Sequence, residues 1–281
     1  MAARWAVFAS VVIWMVLAAR GQWEESKIIG GTAVSINKSP FLAALEKRDT
    51  SSAPFLQNCG CVIIDRLYII SAAHCFAELA DDLTISYPAA SLFRIRAGSS
   101  LLERGGTLHS VAKYWVHPKF KGIKGTQGTA LDYDIAVARL KTPIVFGKTV
   151  AKANLIGMGQ HLKKGTKVIT AGWGVTQVNG QNAAPSALLR RAVFSIVEQP
   201  ECDRQYLKQA NARVSQRCIC TYAASKGNCL GDSGGAVYNR TGNVVVGIVS
   251  WGACVQVPNV VTDLGNVEIR NFIRNQSKLK V

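Results

Sequence analysis

The sequence predicts an all-β protein with one short helix near its C-terminus. Short segments rich in Val and Ile recur along the chain, and Gly, Pro and Asn lie between them. These segments are 60–64, 67–71, 93–97, 135–140, 167–172, 192–197, 236–238 and 244–251. No long helical period appears before residues 265–280, where four apolar side chains can share one face of a terminal helix. The chain has 281 residues and 48% hydrophobic content, enough to bury a large core in one large or two small domains.

The N-terminus has the pattern of a secretory signal. Arg4 precedes an apolar run over residues 5–19 that only Ser10 interrupts, and small residues follow up to Gly21. The run is shorter than the roughly 20 residues that a membrane span requires. We therefore predict a signal peptide at 1–21, an extracellular mature chain and no membrane span. An uncleaved anchor is the alternative interpretation.

The charge balance is strongly basic. The chain has 33 Lys and Arg against 17 Asp and Glu, a net charge of +16. Such a charge favours acidic partners such as sulfated glycans or anionic surfaces, although general solubility explains it equally well. No basic helical stripe or nucleic-acid motif accompanies the charge, so nucleic-acid binding is not expected.

One serine has a context suited to nucleophilic catalysis. Residues 229–235 read Cys-Leu-Gly-Asp-Ser-Gly-Gly, with Ser233 among glycines that allow close backbone approach to a substrate. Serine needs a base to take its proton and donors to hold the developing oxyanion. A candidate base, His74, lies in Ser-Ala-Ala-His-Cys at 71–75. A candidate orienting acid, Asp134, heads the apolar part of Asp-Tyr-Asp-Ile-Ala-Val-Ala-Arg-Leu at 132–140.

With these three motifs in the order His, Asp, Ser, the chain resembles the trypsin/chymotrypsin family of serine endopeptidases. The resemblance extends from about residue 28 to the C-terminus. Ile-Ile-Gly-Gly at 28–31, Ala-Gly-Trp-Gly at 171–174 and Ser-Trp-Gly at 250–252 also match. It implies two antiparallel six-stranded β-barrels, approximately 28–147 and 148–281, with the active site in the cleft between them.

The resemblance also implies a role for each residue of the site. Ser233 is the nucleophile, His74 the general base and acid, and Asp134 the group that orients His74. The N–H groups of Gly231 and Ser233 form the oxyanion hole. Asp132 competes with Asp134, but the Asp-Ile-Ala-Val frame follows Asp134, and we expect Asp132 to be solvated.

The resemblance further implies synthesis as a zymogen. Lys27 precedes the Ile-Ile-Gly-Gly motif, which predicts a propeptide at 22–27 and an activating protease that cuts after Lys27. The new ammonium group of Ile28 would pair with Asp232 and order the oxyanion loop. The mature protease domain would cover residues 28–281.

Eight cysteines in a secreted chain predict disulfides. The spacing of the family implies three bridges, leaving Cys61 and Cys220 to pair, stay free or link to another chain. The bridges implied are Cys59–Cys75, Cys202–Cys218 and Cys229–Cys254.

The residues that match the specificity pocket are unusual. Trypsins carry an aspartate six residues before the nucleophile, where this chain has Gly227 followed by Asn228. Gly252 leaves the pocket mouth open, and Asn259 replaces a usual glycine. We therefore predict a non-basic P1 preference, like that of chymotrypsin or elastase, because a buried cation would lack a partner.

The substrate would be a protein or peptide whose backbone pairs as an added strand with Ser250, Trp251 and Gly252. Ser250 is also expected to support Asp134. We expect a monomer with no metal and no cofactor. The alternative is a catalytically silent homologue that acts as an extracellular binding protein.

Overall fold

The computed structural model describes residues 29–79, 84–125, 128–175, 184–240 and 244–281. The predicted signal peptide and the activation site at Lys27 and Ile28 lie outside these residues.

The strands of the N-terminal half are β1 (Thr32–Ala33), β2 (Leu42–Lys47), β3 (Leu56–Ile63), β4 (Tyr68–Ser71), β5 (Glu78–Leu79), β6 (Ile85–Ser86), β7 (Phe93–Ala97), β8 (Thr107–Val116), β9 (Lys121–Gly125), β10 (Gly128–Asp132) and β11 (Ala136–Leu140). The C-terminal half contains β12 (Asn154–Leu155), β13 (Lys167–Gly172), β14 (Arg190–Val197), α1 (Gln199–Ala210), β15 (Cys218–Tyr222), β16 (Ala236–Asn239), β17 (Val244–Trp251), β18 (Asn259–Asp263) and α2 (Val267–Ser277). Short 3-10 turns occupy Ile36–Lys38, Ala73–Cys75 and Ala90–Leu92.

The first six-stranded sheet closes into an antiparallel barrel. Its strands follow the order β11, β4, β3, β2, β7, β8, and β8 pairs again with β11. Alternation along β7 explains how a strand builds this wall, because Phe93, Ile95 and Ala97 are buried inside the barrel. The intervening Arg94 and Arg96 pair with the buried carboxylate of Glu46 at N–O distances of 2.5 and 2.7 Å.

The second barrel is built in the same way. Strands β13, β14, β15, β18, β17 and β16 form a closed antiparallel ring. Strand β1 adds to β14, so the N-terminal segment packs on the second barrel rather than the first. The predicted all-β fold of two antiparallel six-stranded barrels is confirmed.

The predicted C-terminal helix is α2. The side chain of Asn266 caps it by accepting bonds from the N–H groups of Glu268 and Ile269. Its buried face contains Ile269, Phe272 and Ile273. Helix α1 was not predicted: it buries only Cys202 and Tyr206, and that apolar stripe is too sparse to register as a helical period.

The disulfides correct one predicted pairing. Cys59–Cys75 and Cys229–Cys254 form, but Cys202 of α1 bonds with Cys220 rather than Cys218, across a Cα–Cα distance of 6.4 Å. Cys218 and Cys61 are the free, buried cysteines of the described chain. Cys218 and Cys220 lie two positions apart on one strand and share a face, so the placement of α1 selects between them.

Among the residues that the structure describes, no helix has both the length and the apolar character needed to cross a bilayer.

Candidate active site

His74 and Asp134 form a hydrogen-bonded pair between two segments of the first barrel. His74 lies in the 3-10 turn after β4, which the Cys59–Cys75 bridge ties to β3. Its Nδ1 lies 2.8 Å from Oδ2 of Asp134, and its backbone N–H donates to Oδ1 at 2.9 Å. Both carboxylate oxygens therefore hold His74, which leaves its Nε2 as the ring nitrogen available for proton transfer.

The second barrel supplies the remaining bonds to Asp134. Ser250, at the end of β17, donates its hydroxyl to Oδ2 at 2.5 Å. Thr262 of β18 donates to the backbone carbonyl of Asp134 at 2.8 Å. Asp134, which precedes β11 of the first barrel, is therefore held by hydrogen bonds from both barrels.

The electrostatics of the pair suit a base held ready for protonation. Burial disfavours the imidazolium, but the Asp134 carboxylate outweighs it and raises the pKa of His74 above its ordinary value. Burial likewise opposes the Asp134 carboxylate, yet His74 and the Ser250 hydroxyl lower its pKa below the usual range. The geometry keeps Asp134 ionised and stabilises positive charge on His74.

Ser233 lies in the loop before β16, on the opposite wall of the cleft. Its carbonyl accepts a bond from the N–H of Gly60 in β3 at 2.7 Å. Gly234, at a φ of +75°, follows it, and a Cβ there would lie 2.0 Å from Oγ of Ser71. Ser233 and His74 line the same cavity, and Nε2 of His74 lies 3.9 Å from Sγ of Cys75.

The loop that would carry the oxyanion hole is a tight turn. The N–H of Asp232 donates to the carbonyl of Cys229 at 3.0 Å, and Gly231 has a φ of +92°. Gln57 of β3 donates its side-chain amide to the carbonyl of Gly231 at 2.8 Å. Sequence reasoning missed Gln57, because nothing local indicates a contact with a loop more than a hundred residues away.

The carboxylate of Asp232 points into the protein. It accepts bonds from the N–H groups of Gly174 at 2.9 Å and Cys229 at 3.1 Å. Burial raises its pKa to about 7, and the two backbone donors only partly offset this. At Gly172 and Gly174, a Cβ would lie 2.3 and 2.4 Å from the carboxylate, so both positions require glycine.

A cavity of about 230 Å³ lies beside Ser233 and contains the predicted pocket residues Asn228, Gly252 and Asn259. None of its lining residues is acidic, and the complete lining is His74, Leu131, Asn228, Cys229, Leu230, Ser233, Val249, Ser250, Trp251, Gly252, Cys254 and Asn259. Asn259 is buried, accepting from the backbone N–H of Asn228 at 3.1 Å. Gly227 does not line the cavity.

The backbone of the neighbouring wall lies against Gly227. A Cβ at this position would be 1.4 Å from the carbonyl oxygen of Cys254. The N–H of Gly227 donates to the carbonyl of Ile29 at 3.3 Å. No side chain fits at residue 227 unless the Cys254 backbone moves.

The structure overturns the prediction that Asp132 is solvated. Its side chain is buried and accepts two bonds from Arg217, at 2.9 Å from Nε and 2.7 Å from Nη2. Burial alone would raise the pKa of Asp132, but the bonds from Arg217 outweigh it and lower the pKa. Arg217 reaches Asp132 from the second barrel, which local sequence could not reveal.

Among the described residues, the group with spacing suited to a metal ion is Cys59, His74 and Cys75. The two sulfurs are bonded to each other and His74 is held by Asp134, so this group does not offer a metal three free ligands.

Comparison with known proteins identifies the family. A family model described as Trypsin matches residues 28–269. The chain belongs to the trypsin family. Trypsin iota of Drosophila melanogaster is 32% identical over 247 residues, covering 88% of this chain and 86% of its own. Trypsin, alkaline B of Manduca sexta is 30% identical over 257 residues, covering 89% and 91%.

A further sequence relative and a solved structure are also similar to this trypsin-family chain. Venom serine protease 34 of Apis mellifera is 33% identical over 261 residues, which are 89% of this chain and 58% of that protein. A crystal structure of the scabies mite inactivated protease paralogue S-D1 matches with a TM-score of 0.71 and 24% identity. It covers 89% of this chain and 97% of its own, and supports the fold alone. Family membership places the chain among the serine protease hydrolases.

Proposed function

We propose that this protein is a secreted serine endopeptidase that hydrolyses peptide bonds with His74, Asp134 and Ser233. The observation that carries the proposal is the fully bonded Asp134 carboxylate, which holds His74 through Nδ1 and its backbone N–H. His74 and Ser233 line the same cavity. The bond from Nδ1 to Asp134 leaves Nε2 as the nitrogen that could take a proton from Ser233.

In the proposed reaction, Nε2 of His74 takes the proton of Ser233 as Oγ attacks the substrate carbonyl carbon. The N–H groups of Gly231 and Ser233 stabilise the oxyanion, where one such donor contributes about 3–4 kcal/mol. His74 then gives the proton to the leaving amine, and an acyl-enzyme remains on Ser233. Water, deprotonated by His74, hydrolyses the ester and releases the second product.

Labelling with a fluorophosphonate tests the proposal. Protein cleaved after Lys27 should react at Ser233, and peptide mapping should locate the adduct there. Ser233→Ala is the matched control and should not react. If cleaved, folded protein fails to react at Ser233, the chain is the silent homologue that forms the alternative. The related fold of an inactivated protease paralogue means that the fold by itself does not decide between them.

We propose that activation follows a cut between Lys27 and Ile28 by another protease. Asp232 supports this, because its buried carboxylate is held by two backbone donors and faces no cation in the described part of the chain. Ile29 is already bonded to Gly227, five residues before Asp232. A new Ile28 ammonium would supply the missing charge. Mass spectrometry of the cleaved protein, together with labelling before and after cleavage, tests this step.

We propose a non-basic residue at P1. The cavity beside Ser233 has no acidic lining residue, and burying a Lys or Arg side chain without a counter-charge is costly. The relatives named trypsins do not transfer their specificity, because this chain has Gly227 where trypsins carry an aspartate. Profiling with a peptide library tests the point: cleavage mainly after Lys or Arg would contradict it.

We also propose secretion as a monomer, with protein substrates and with acidic glycans or surfaces as further partners. The apolar N-terminal segment supports secretion, the net charge of +16 supports acidic partners, and membership of the family supports protein substrates. Expression in a secretory host followed by N-terminal sequencing tests cleavage after residue 21. Retention on heparin at high ionic strength would support a specific glycan site, whereas elution at modest salt would contradict it.

A further inference from the structure

Three consecutive residues, 132–134, connect the two barrels. Asp132 ends strand β10 of the first half and the other two residues follow it, but their side chains and backbone contact groups from the second half of the chain. Asp132 accepts two bonds from Arg217, and Asp134 accepts bonds from Ser250 and Thr262. The segment that presents Asp134 to His74 is thus anchored across the cleft.

The Arg217 contact has the geometry of a strong ion pair. The guanidinium donates through Nε and Nη2 to the two carboxylate oxygens of Asp132, which orients the acid as well as neutralising it. The side chains are 23% and 5% exposed, so water competes little for the bonds. The backbone of Arg217 is itself fixed, because its carbonyl accepts from the N–H of Asp263 at 2.9 Å.

Tyr133 joins this pair to Asp134 through a strained backbone. It has a φ of +52°, which is uncommon for a residue other than glycine. Such a conformation is strained and persists only where surrounding contacts enforce it. The N–H of Tyr133 donates to Oδ1 of Asp132 at 2.9 Å, so the carboxylate that Arg217 holds also holds the Tyr133 backbone.

The ring of Tyr133 is enclosed by further contacts. The Arg217 guanidinium lies 4.2 Å from the ring centroid, and the His117 ring stacks at 4.5 Å. The hydroxyl donates to Glu268 of α2 at 2.8 Å, and Lys119 also pairs with Glu268 at 3.0 Å. Contacts from the second barrel and from α2 therefore keep the backbone in the conformation that precedes Asp134.

We propose that Arg217 is a positioning residue for catalysis: through Asp132 and Tyr133 it sets the orientation in which Asp134 meets His74. The inference rests on the proposed function, since the orientation matters for rate only if His74 acts as the base. Sequence motifs do not indicate Arg217, which lies outside every motif of the site.

Replacing Arg217 with Met tests the role, and Arg213→Met is the matched control. Arg213 lies four residues earlier, is 63% exposed, and pairs with Asp203 at 3.4 Å, away from residues 132–134. In the cleaved enzyme we expect Arg217→Met to lower kcat by roughly tenfold to a hundredfold with little change in KM, since small misplacements carry that cost. The acidic limb of the pH profile should move to lower pH, because a misplaced Asp134 stabilises the His74 imidazolium less.

A second measurement does not depend on turnover. In Ser233→Ala protein, proton NMR can follow the His74 Nδ1–H that is bonded to Asp134. Arg217→Met should shift or broaden this resonance, whereas Arg213→Met should leave it unchanged. A normal resonance with no fluorophosphonate labelling of the wild type would defeat the proposed function separately from this inference.

The outcome that overturns the inference is also specific. If Arg217→Met lowers only the melting temperature, leaving the Nδ1–H resonance and the pH profile as in the wild type, Arg217 is merely structural. Should Arg217→Met fail to fold, Arg217→Lys keeps the charge but loses the two-point bond. It should then shift the resonance partially, and an unchanged resonance in folded Arg217→Lys would equally overturn the role.

Discussion

At the scale of single residues, two buried acids have opposite surroundings. Asp134 accepts bonds from His74 and Ser250, which lower its pKa despite burial. Asp232 has two backbone donors and no cation in the described structure, and burial raises its pKa to about 7. The first acid stabilises positive charge on His74, whereas the second would gain a charged partner only in the proposed activation.

Asp134→Asn should greatly lower the kcat of the activated enzyme while leaving the protein folded. We expect kcat to fall by about 10⁴-fold, the size associated with this change in such triads, because the amide favours the wrong tautomer of His74. Loss of the carboxylate removes the interaction that raises the pKa of His74, so the remaining acidic limb should move to lower pH. Steady-state rates across pH measure both effects. Asp49→Gln, at an exposed position, is the control and should behave as wild type.

Gly227→Ala should destabilise the protein because the new Cβ would lie 1.4 Å from the carbonyl of Cys254. Overpacking of this kind costs about 1–3 kcal/mol or more in the free energy of unfolding. Gly147→Ala is the matched control, since its Cβ would meet no atom within 4 Å. Urea unfolding measures the difference, and equal stability of the two variants would show that the Cys254 wall moves freely.

For the same steric reason, Gly227→Asp alone should not create a preference for Lys or Arg at P1.

At the scale of elements, the turn containing Asp232 should make uncleaved protein less stable as pH rises. The carboxyl has a pKa near 4 when unfolded and about 7 when folded. The stabilisation from the protonated folded form is therefore fully present below about pH 4 and is lost as pH rises through about 7. A single proton contributes a slope of up to about 1.4 kcal/mol per pH unit in this window.

Urea unfolding of uncleaved Ser233→Ala protein between pH 4 and 8 measures this slope. Asp232→Asn in the same background cannot ionise and should flatten it. If both proteins depend on pH alike, the buried carboxylate is not the source. Cleavage after Lys27 should also flatten the slope, because pairing with the Ile28 ammonium would lower the pKa of Asp232.

The contact between α1 and β15 predicts which cysteines are reactive after unfolding. Alkylation of unfolded, unreduced protein should modify Cys61 and Cys218, the free cysteines of the described chain. Cys220→Ala should lose the bridge to Cys202 and about 2–5 kcal/mol of stability unless Cys218 replaces it, whereas Cys218→Ala should keep the bridge. Peptide mapping that finds Cys220 alkylated would contradict the observed pairing.

At the scale of the whole molecule, the barrels are connected by buried polar bonds as well as by apolar packing. The hydroxyl groups of Ser39, just before β2, and Tyr238, in β16, lie 2.6 Å apart. Phe41 packs edge-on against the Tyr238 ring, with centroids 5.1 Å apart. These contacts join the start of the first barrel to the second, alongside the connection through residues 132–134.

Tyr238→Phe should therefore weaken the connection between the barrels. It keeps the ring but leaves the buried Ser39 hydroxyl unpaired, which costs about 1–3 kcal/mol in the free energy of unfolding. Tyr222→Phe, at a half-exposed strand position in β15, is the control and should change stability by less than about 0.5 kcal/mol. Equal midpoints of the two variants in urea would indicate that the hydroxyl pair contributes nothing.

Most barrel strands were predictable because each of these satisfies a local rule, whereas β2, β8, β15 and β18 were not among the predicted segments. Val and Ile runs between turn residues marked most barrel strands, and the apolar face of α2 marked the terminal helix. Helix α1 was missed because it buries little apolar surface, so its local pattern is weak. The spacing of the family indicated Cys218 as the partner of Cys202, but the two cysteines share one strand face and the structure bonds Cys202 with Cys220.

The residues of the site likewise fall into those that local motifs predict and those that only distant contacts bring to the site. His74, Asp134 and Ser233 were predictable because each lies in a short motif whose neighbours shape its backbone. Gln57, Thr262 and Arg217 were not, since each contacts its partner from a distant strand or loop. The prediction that Asp132 is solvated was wrong for the same reason, because its partner Arg217 comes from the other barrel.

The sequence by itself determined the all-β class through local patterns, and its motifs, through the resemblance that they carry, indicated the two barrels, the family and the three residues proposed for catalysis. Only the tertiary structure decided how Asp134 is held, which cysteine bonds with Cys202, and why Gly227 can carry no side chain. Those features depend on atoms brought together from residues far apart in the chain. Such contacts exist only after the two barrels have folded and packed against each other.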